Sequence, residues 1–215
     1  MNLLLTGATG FVGGEVLRQA LSDDAIERVT VLTRRKLDAV HPKLTTIVLA
    51  SFLDYSDVPR DAYDACIWCL GVARSQVTRD DYVRITLDYT VAAAIALFAS
   101  NPSLRFCFLS GRSADPSEEA RPLFARIKGR TERRLAELGG NVVVFRPGYV
   151  RPTLRSGPRK NATPFYAPIA NVLSLLIDGF SVDCDRLADC LIWVAKGHGK
   201  HVLFSNRDIR DFRSQ

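Results

Sequence analysis

The stretch Thr6-Gly7-Ala8-Thr9-Gly10-Phe11-Val12-Gly13 follows a short apolar run, residues 2–6. It leads into a segment that carries Val12, Val16, Leu17, Ala20 and Leu21 on one stripe. A glycine loop between a strand and a helix has a defined physical job. Gly7 permits the tight turn, Gly10 lets the backbone approach a pyrophosphate with no Cβ in the way, and Gly13 lets the helix pack close to the strand. The helix N-terminus adds amide donors and the positive end of its dipole. Glycines at these spacings are common. Their position, after the first strand and before the first helix, is what gives them weight.

Outward from this loop the chain keeps alternating. Apolar, β-branched runs at 2–6, 28–33, 45–49, 64–70, 104–110 and 141–145 read as strands buried on both faces of a parallel sheet, since they are continuous rather than alternating. Helical segments separate them. Thr78 with Asp81 reads as a capping box opening a helix over 79–99, and Leu123, Ile127, Leu135 and Leu138 mark another. The implied architecture is α/β, a doubly wound parallel sheet of the Rossmann type. After Pro147-Gly148 the pattern changes. A Pro-, Gly- and Ser-rich loop over 151–164 precedes helices near 166–177 and 186–196, a short strand at 200–204 and a polar tail helix. This reads as a small C-terminal helical lobe, 151–215, on a single domain spanning 1–215.

The end of the second strand bears on the cofactor. Folds that prefer NAD place an acid there, on the ribose 2′-hydroxyl. Here the sequence is Thr33-Arg34-Arg35-Lys36, with no acid and with guanidinium groups suited to a 2′-phosphate. NADP(H) is the expected cofactor, with NAD as the alternative.

Composition narrows the class. Hydrophobic residues make up 47% and charged residues 24%, the balance of a soluble globular protein. No membrane-spanning segment and no signal peptide are expected, which gives the cytoplasm as the default compartment. Residues 112–160 hold twelve Lys or Arg and five Asp or Glu. No nucleic-acid motif or interleaved aromatic accompanies them, so they read as a solvated face or an anion-binding rim rather than a nucleic-acid site. Cys66 and Cys69 form a C-x-x-C, but residues three apart on a strand face opposite sides, so both read as core thiols. His198 and His201 lack a third ligand nearby and read as a surface turn, and no metal is expected. The Ala-rich run 91–99 should be buried against the sheet or against a second copy of the chain, so a homodimer is one expectation.

With these motifs in place, the chain resembles the atypical short-chain dehydrogenase/reductase superfamily, and within it the small NAD(P)H-binding proteins of Tat-interacting-oxidoreductase-like and epimerase-like kind. Thr6–Gly13 matches the family's T-G-A-T-G-x-x-G, and Cys69-Leu70-Gly71 matches the segment after strand four. Leu109-Ser110 matches the end of strand five, Lys128-Gly129-Arg130-Thr131-Glu132 a K-G-x-x-E helix, and Phe145-Arg146-Pro147-Gly148 the F-R-P-G after strand six. The resemblance implies a cofactor surface of Gly7, Thr9, Gly10, Phe11, Val12 and Gly13; Thr33, Arg34 and Arg35; Ser51, Phe52 and Leu53; Cys69, Leu70 and Gly71; Lys128; and Pro147, Gly148 and Val150. It assigns Lys128 to the nicotinamide ribose and, with Ser110, to the catalytic centre. Catalytic members carry a Tyr four residues before the Lys; here Phe124 stands in that place and has no proton to give. Which hydroxyl near Ser110 and Ser113 faces a substrate stays open, and Tyr149 or Tyr166 could supply a phenol. The resemblance implies an NADP(H)-dependent oxidoreductase acting on a small molecule. The alternative is a non-catalytic NADP(H) sensor.

Overall fold

A computed structural model describes residues 1–60, 62–153 and 180–213. The elements follow the alternation of the sequence. They are β1 (Asn2–Thr6), α1 (Phe11–Ser22), β2 (Arg28–Thr33), β3 (Leu44–Val48), β4 (Ala65–Trp68), α2 (Arg79–Val83), α3 (Tyr89–Ser100), β5 (Arg105–Leu109), α4 (Leu123–Glu137), β6 (Asn141–Arg146), β7 (Tyr149–Arg151), β8 (Ser181–Asp183), α5 (Cys184–Ala195), β9 (Leu203–Ser205) and α6 (Asn206–Asp211). Seven strands form one sheet in the order β3-β2-β1-β4-β5-β6-β9, parallel at every pairing.

Successive side chains of a strand point to opposite faces, and here both faces are covered. Leu3, Leu5, Val29, Val31, Ile67 and Phe145 pack with Val16, Leu17 and Ala20 of α1 and Leu187, Leu191 and Val194 of α5. Leu4, Leu32, Cys66, Trp68, Phe106 and Phe108 pack with Ala93, Ala94 and Leu97 of α3 and Leu135 of α4. Burial on both sides is why the strands read as unbroken apolar runs. It also separates the C-x-x-C: Cys66 belongs to one layer, Cys69 packs against the other, and all five cysteines are free thiols.

Two features differ in detail from the sequence expectation. The helix expected over 79–99 is divided into α2 and α3 by a π-helical turn, Arg84–Asp88. The Thr90 hydroxyl donates to the Thr86 carbonyl at 2.8 Å; the Thr131 hydroxyl of α4, which donates to its own Ile127 carbonyl at 2.8 Å, lies 3.3 Å from the same oxygen. Side-chain hydroxyls that compete for a helical carbonyl favour such a turn. Thr78 does cap α2, accepting from Asp81 N at 3.2 Å, although the Asp81 carboxylate takes the Thr78 hydroxyl rather than its amide. The sequence expectation of no membrane-spanning stretch also differs from the structure, in which Arg79–Ser100 is long and apolar enough by length and composition alone. Its inner face, with Ala93, Ala94 and Leu97, lies on the sheet, while Ile95 is half exposed.

The described part of the C-terminal stretch is stitched into the main layers. β9 pairs with β6, Val144 to Leu203 and Phe145 to Phe204, and the Phe145 and Phe204 rings stack at 5.1 Å. The chain leaves β6 through Pro147-Gly148 directly into β7, which pairs with β8 and is tied to it by the Arg151–Asp183 ion pair at 2.8 Å. The helix expected near 166–177, with Tyr166, lies outside the described residues.

Candidate functional site

The strand order reverses between β1 and β4. Open α/β sheets bind dinucleotides in the crevice beyond the strand ends at such a switch point, and both the glycine loop and Cys69-Leu70-Gly71 emerge there. Gly7 has φ +71°, and a Cβ on it would lie 2.4 Å from the Cys69 carbonyl oxygen. Any L side chain would meet both strain and collision. A Cβ on Gly13 would lie 2.2 Å from the Gly7 carbonyl oxygen, so this glycine lets α1 close on its own loop. Gly10 is different. An added Cβ would meet only the Gly7 oxygen, at 3.1 Å, a close contact that a shift of a few tenths of an ångström relieves, unlike the collisions at Gly7 and Gly13. Gly10 is the N-cap of α1, is extended, and offers no side-chain cap. The amide-rich helix start is thus left open for an anion. Thr9 is exposed and Phe11 and Val12 are half buried. The Thr6 hydroxyl accepts from Leu70 N at 3.1 Å and ties the β1 and β4 ends together.

The neighbouring strand ends complete one side of the crevice. The Thr33 hydroxyl accepts from Arg35 N at 3.3 Å and donates to the Arg35 carbonyl at 3.0 Å, which shapes the turn. Arg34 and Arg35 are both exposed, and none of the ion pairs among the described residues involves them. After β3, Ser51 Oγ accepts from Leu53 N at 3.2 Å. Phe52 turns its ring into the core, edge-on to Trp68 and stacked on Tyr89, while Leu53 stays 54% exposed. Gly71 is open, with nothing within 4 Å of an added Cβ.

The other side is built by the ends of β5 and β6 and by α4. Lys128 Nζ donates to the carbonyl oxygens of Leu109 at 3.2 Å and Ser110 at 2.8 Å. Its stem passes within 3.6 Å of where a Gly111 Cβ would stand, and its charge lies 5.8 Å from the Phe108 ring centroid. Burial pulls the Lys128 ammonium down from 10.5 to about 8, opposed by the nearby Glu132 charge. Ser110 is buried, and its hydroxyl donates to Glu132; in this arrangement it faces inward. Ser113 is exposed. Gly129 is obligatory, because a Cβ there would fall 1.9 Å from the Asp115 carbonyl oxygen where the β5–α4 connection crosses the helix. Phe124, one turn before Lys128 on the same face, is 42% exposed. It is therefore not a core residue.

The remaining residues singled out by sequence are placed as follows. Pro147 O accepts from Arg112 N at 2.9 Å. Gly148 N donates to Asn206 Oδ1 at 2.6 Å, and a Cβ on Gly148 would fall 2.2 Å from the Phe180 carbonyl oxygen. Val150 packs against the α1/α5 layer. The Tyr149 ring stacks on Phe180 at 6.4 Å. His198 stacks on Trp193 and His201 meets Phe204 edge-on, so both histidines are engaged in ring packing.

Sequence reasoning missed one assembly. Glu132 is buried, and Arg146 grips it with Nε at 3.0 and 3.1 Å from the two carboxylate oxygens and with a further bond from Nη2. The K-G-x-x-E and F-R-P-G motifs spell both residues, but nothing in their spacing says that they meet.

The comparisons with known proteins agree with this geometry. Residues 3–131 match the profile of the NAD dependent epimerase/dehydratase family. Protein HTATIP2 of Rattus norvegicus is 30% identical over 227 residues, covering 97% of this chain and 87% of that protein. The mitochondrial protein fmp52 of Aspergillus fumigatus is 30% identical over 202 residues, covering 87% of this chain and 83% of that protein. Among solved structures, the Bordetella bronchiseptica enzyme WbmF in complex with NAD+ superposes with a TM-score of 0.70 at 16% identity, over 95% of this chain and 72% of that one. The match through β1, the glycine loop and the first turns of α4, with a relative aligned along almost the whole length, places the chain in the NAD dependent epimerase/dehydratase family.

Proposed function

We propose that the protein is an NADP(H)-dependent oxidoreductase acting on a small molecule. The observation that carries this reading is the cradle at Gly10: an uncapped helix start, at the sheet's switch point, where an added Cβ would press on one atom only, the Gly7 carbonyl oxygen. The residues present fit a dinucleotide. Gly7, Gly10 and Gly13 would admit the pyrophosphate, with Thr9, Phe11 and Val12 around it. Arg34 and Arg35, exposed and without a carboxylate partner in the described residues, would take the 2′-phosphate. Leu53, Leu70 and Gly71 would border the adenine half, and Cys69, Lys128, Pro147, Gly148 and Val150 the nicotinamide half. When bound, the cofactor supplies the hydride. The chain's own part is to hold it against the β4–β6 ends and to place the Lys128 ammonium beside the ribose. Five free thiols suit a reducing compartment such as the cytoplasm.

A second reading has its own support. Phe124 stands exposed where catalytic relatives of the short-chain kind carry a phenol, and the Ser110 hydroxyl faces Glu132. A protein that binds the cofactor without turnover, as a sensor, has no need of either group. The test is loss of NADPH absorbance against a panel of quinones, flavins, aldehydes and ketones. Turnover of any class supports the oxidoreductase; binding without turnover across the panel favours the sensor.

A further inference from the structure

We infer that Glu132 is a positioning residue: its carboxylate, clamped by Arg146, holds the Ser110 end of β5 and through it the two carbonyl oxygens on which the Lys128 ammonium hangs. The inference rests on the reading of Lys128 as the site's cation. Three segments border the nicotinamide side, namely the β5 end, α4 and the β6 end, and they come from chain positions up to 36 residues apart. Glu132 is where they meet. It lies one turn beyond Lys128 on α4, so the two share a face. One carboxylate oxygen takes the Ser110 hydroxyl, and both are held by the Arg146 guanidinium. The next two residues after Arg146 are Pro147 and Gly148, whose backbone is fixed by Arg112 N and Asn206 Oδ1.

The Ser110 side chain faces Glu132 while its carbonyl faces Lys128 Nζ at 2.8 Å. Rotation of this residue would therefore disturb both contacts together. A buried carboxylate is costly unless fully partnered, and here the partners are the site's own walls. The charged and titratable groups facing Lys128 are Glu132 on its own helix and Cys69 at the β4 end. The Cys69 thiol is held well above its usual range by burial, so it stays neutral. Glu132 is thus the charge that supports the ammonium.

The test compares Glu132→Gln with the unmodified protein and with Asp23→Asn, which breaks the 2.8 Å Lys196–Asp23 pair outside the site. The first readout needs no cofactor: the pH dependence of trace acetylation of Lys128 by acetic anhydride, quantified by mass spectrometry. The midpoint should lie near 8 in the unmodified protein and in Asp23→Asn, and should move lower in Glu132→Gln. The second readout is NADPH affinity, which should fall about tenfold in Glu132→Gln and stay unchanged in Asp23→Asn. If Glu132→Gln does not fold, Ser110→Ala removes the hydroxyl link alone, and NADPH affinity should fall severalfold. A Lys128 midpoint and an NADPH affinity that Glu132→Gln leaves unmoved would overturn the inference and make the clamp purely architectural. If the unmodified protein binds no NADPH, the proposed function fails separately, and the acetylation midpoint still decides the role of Glu132.

Discussion

The two walls of the crevice are built on different principles. The β1–α1 wall works by what is absent: Gly7, Gly10 and Gly13 have no side chains, and backbone comes within 2.4 Å of where a Cβ would be at the first and last of them. The β5–α4–β6 wall works by what is present, a buried Lys128–Ser110–Glu132–Arg146 network. Yet Phe124 sits in it at the place of a phenol. The first wall has what holding a dinucleotide needs. The second has the cation and its supports but offers no phenol at that position. Holding a cofactor and reacting with it are separable properties of this fold, and each wall can be perturbed alone.

The largest effect should come from filling the cradle. Gly10→Val should lose NADPH binding altogether, more than about a hundredfold by calorimetry, because the pyrophosphate and the side chain claim one space. Its circular dichroism spectrum should stay close to that of the unmodified protein, since an added Cβ presses on one atom only, the Gly7 carbonyl oxygen at 3.1 Å, and a shift of a few tenths of an ångström relieves it. The cofactor-induced thermal shift should vanish. Gly13→Ala sharpens the contrast. With 2.2 Å of clearance its damage is to the fold itself, about 1–3 kcal/mol or more by denaturant titration.

The second wall gives the next effect. Phe124→Tyr would restore a hydroxyl on the same helix face as Lys128, and a positioned proton donor contributes roughly 10²–10⁴-fold to carbonyl reduction. Steady-state rates on a simple ketone should rise from a very low base toward that range. Brisk ketone turnover by the unmodified protein would show instead that another group donates the proton.

Removing the basic turn should have a smaller and more selective effect. Arg34→Ala and Arg35→Ala should each weaken NADPH binding by roughly 1.5–3 kcal/mol, the worth of a hydrogen bond to a charged group, and leave NADH affinity nearly unchanged.

The smallest effect is that of pH. Because burial lowers Lys128 from 10.5 to about 8, the folded chain releases this proton before the unfolded chain does. The cofactor-free protein should therefore gain stability between about 8 and 10.5. Cofactor affinity should run the other way, weakening by at most about tenfold as the ammonium is lost above pH 8. Thermal melts with and without NADPH across this range would reveal the opposed trends.

The two walls were also unequally legible in the sequence. Strand β1, the glycine loop and α1 could be read residue by residue, since turn geometry and close packing act locally along the chain. The six strands of the alternating region were visible for the same reason: burial on both faces leaves continuous apolar runs. The second wall was not legible in this way. That the Ser110 hydroxyl turns toward Glu132, that Arg146 grips Glu132 from 14 residues away, and that Phe124 is exposed all depend on side-chain direction across three elements. The π-turn at Arg84–Asp88 is likewise illegible, because nothing in the local pattern separates it from the helical turns on either side. β9 was placed near 200–204, but its pairing with β6 is a long-range choice that local pattern does not encode.

If the proposed function is right, the glycine wall and its basic turn together hold NADP(H). Calorimetric titration of the unmodified protein with NADPH and with NADH, side by side, tests it most directly. Both should bind at one site, NADPH at least about tenfold tighter, through the 2′-phosphate on Arg34 and Arg35. Equal affinities would contradict the assignment of the arginine turn, and heat from neither would contradict the claim as a whole.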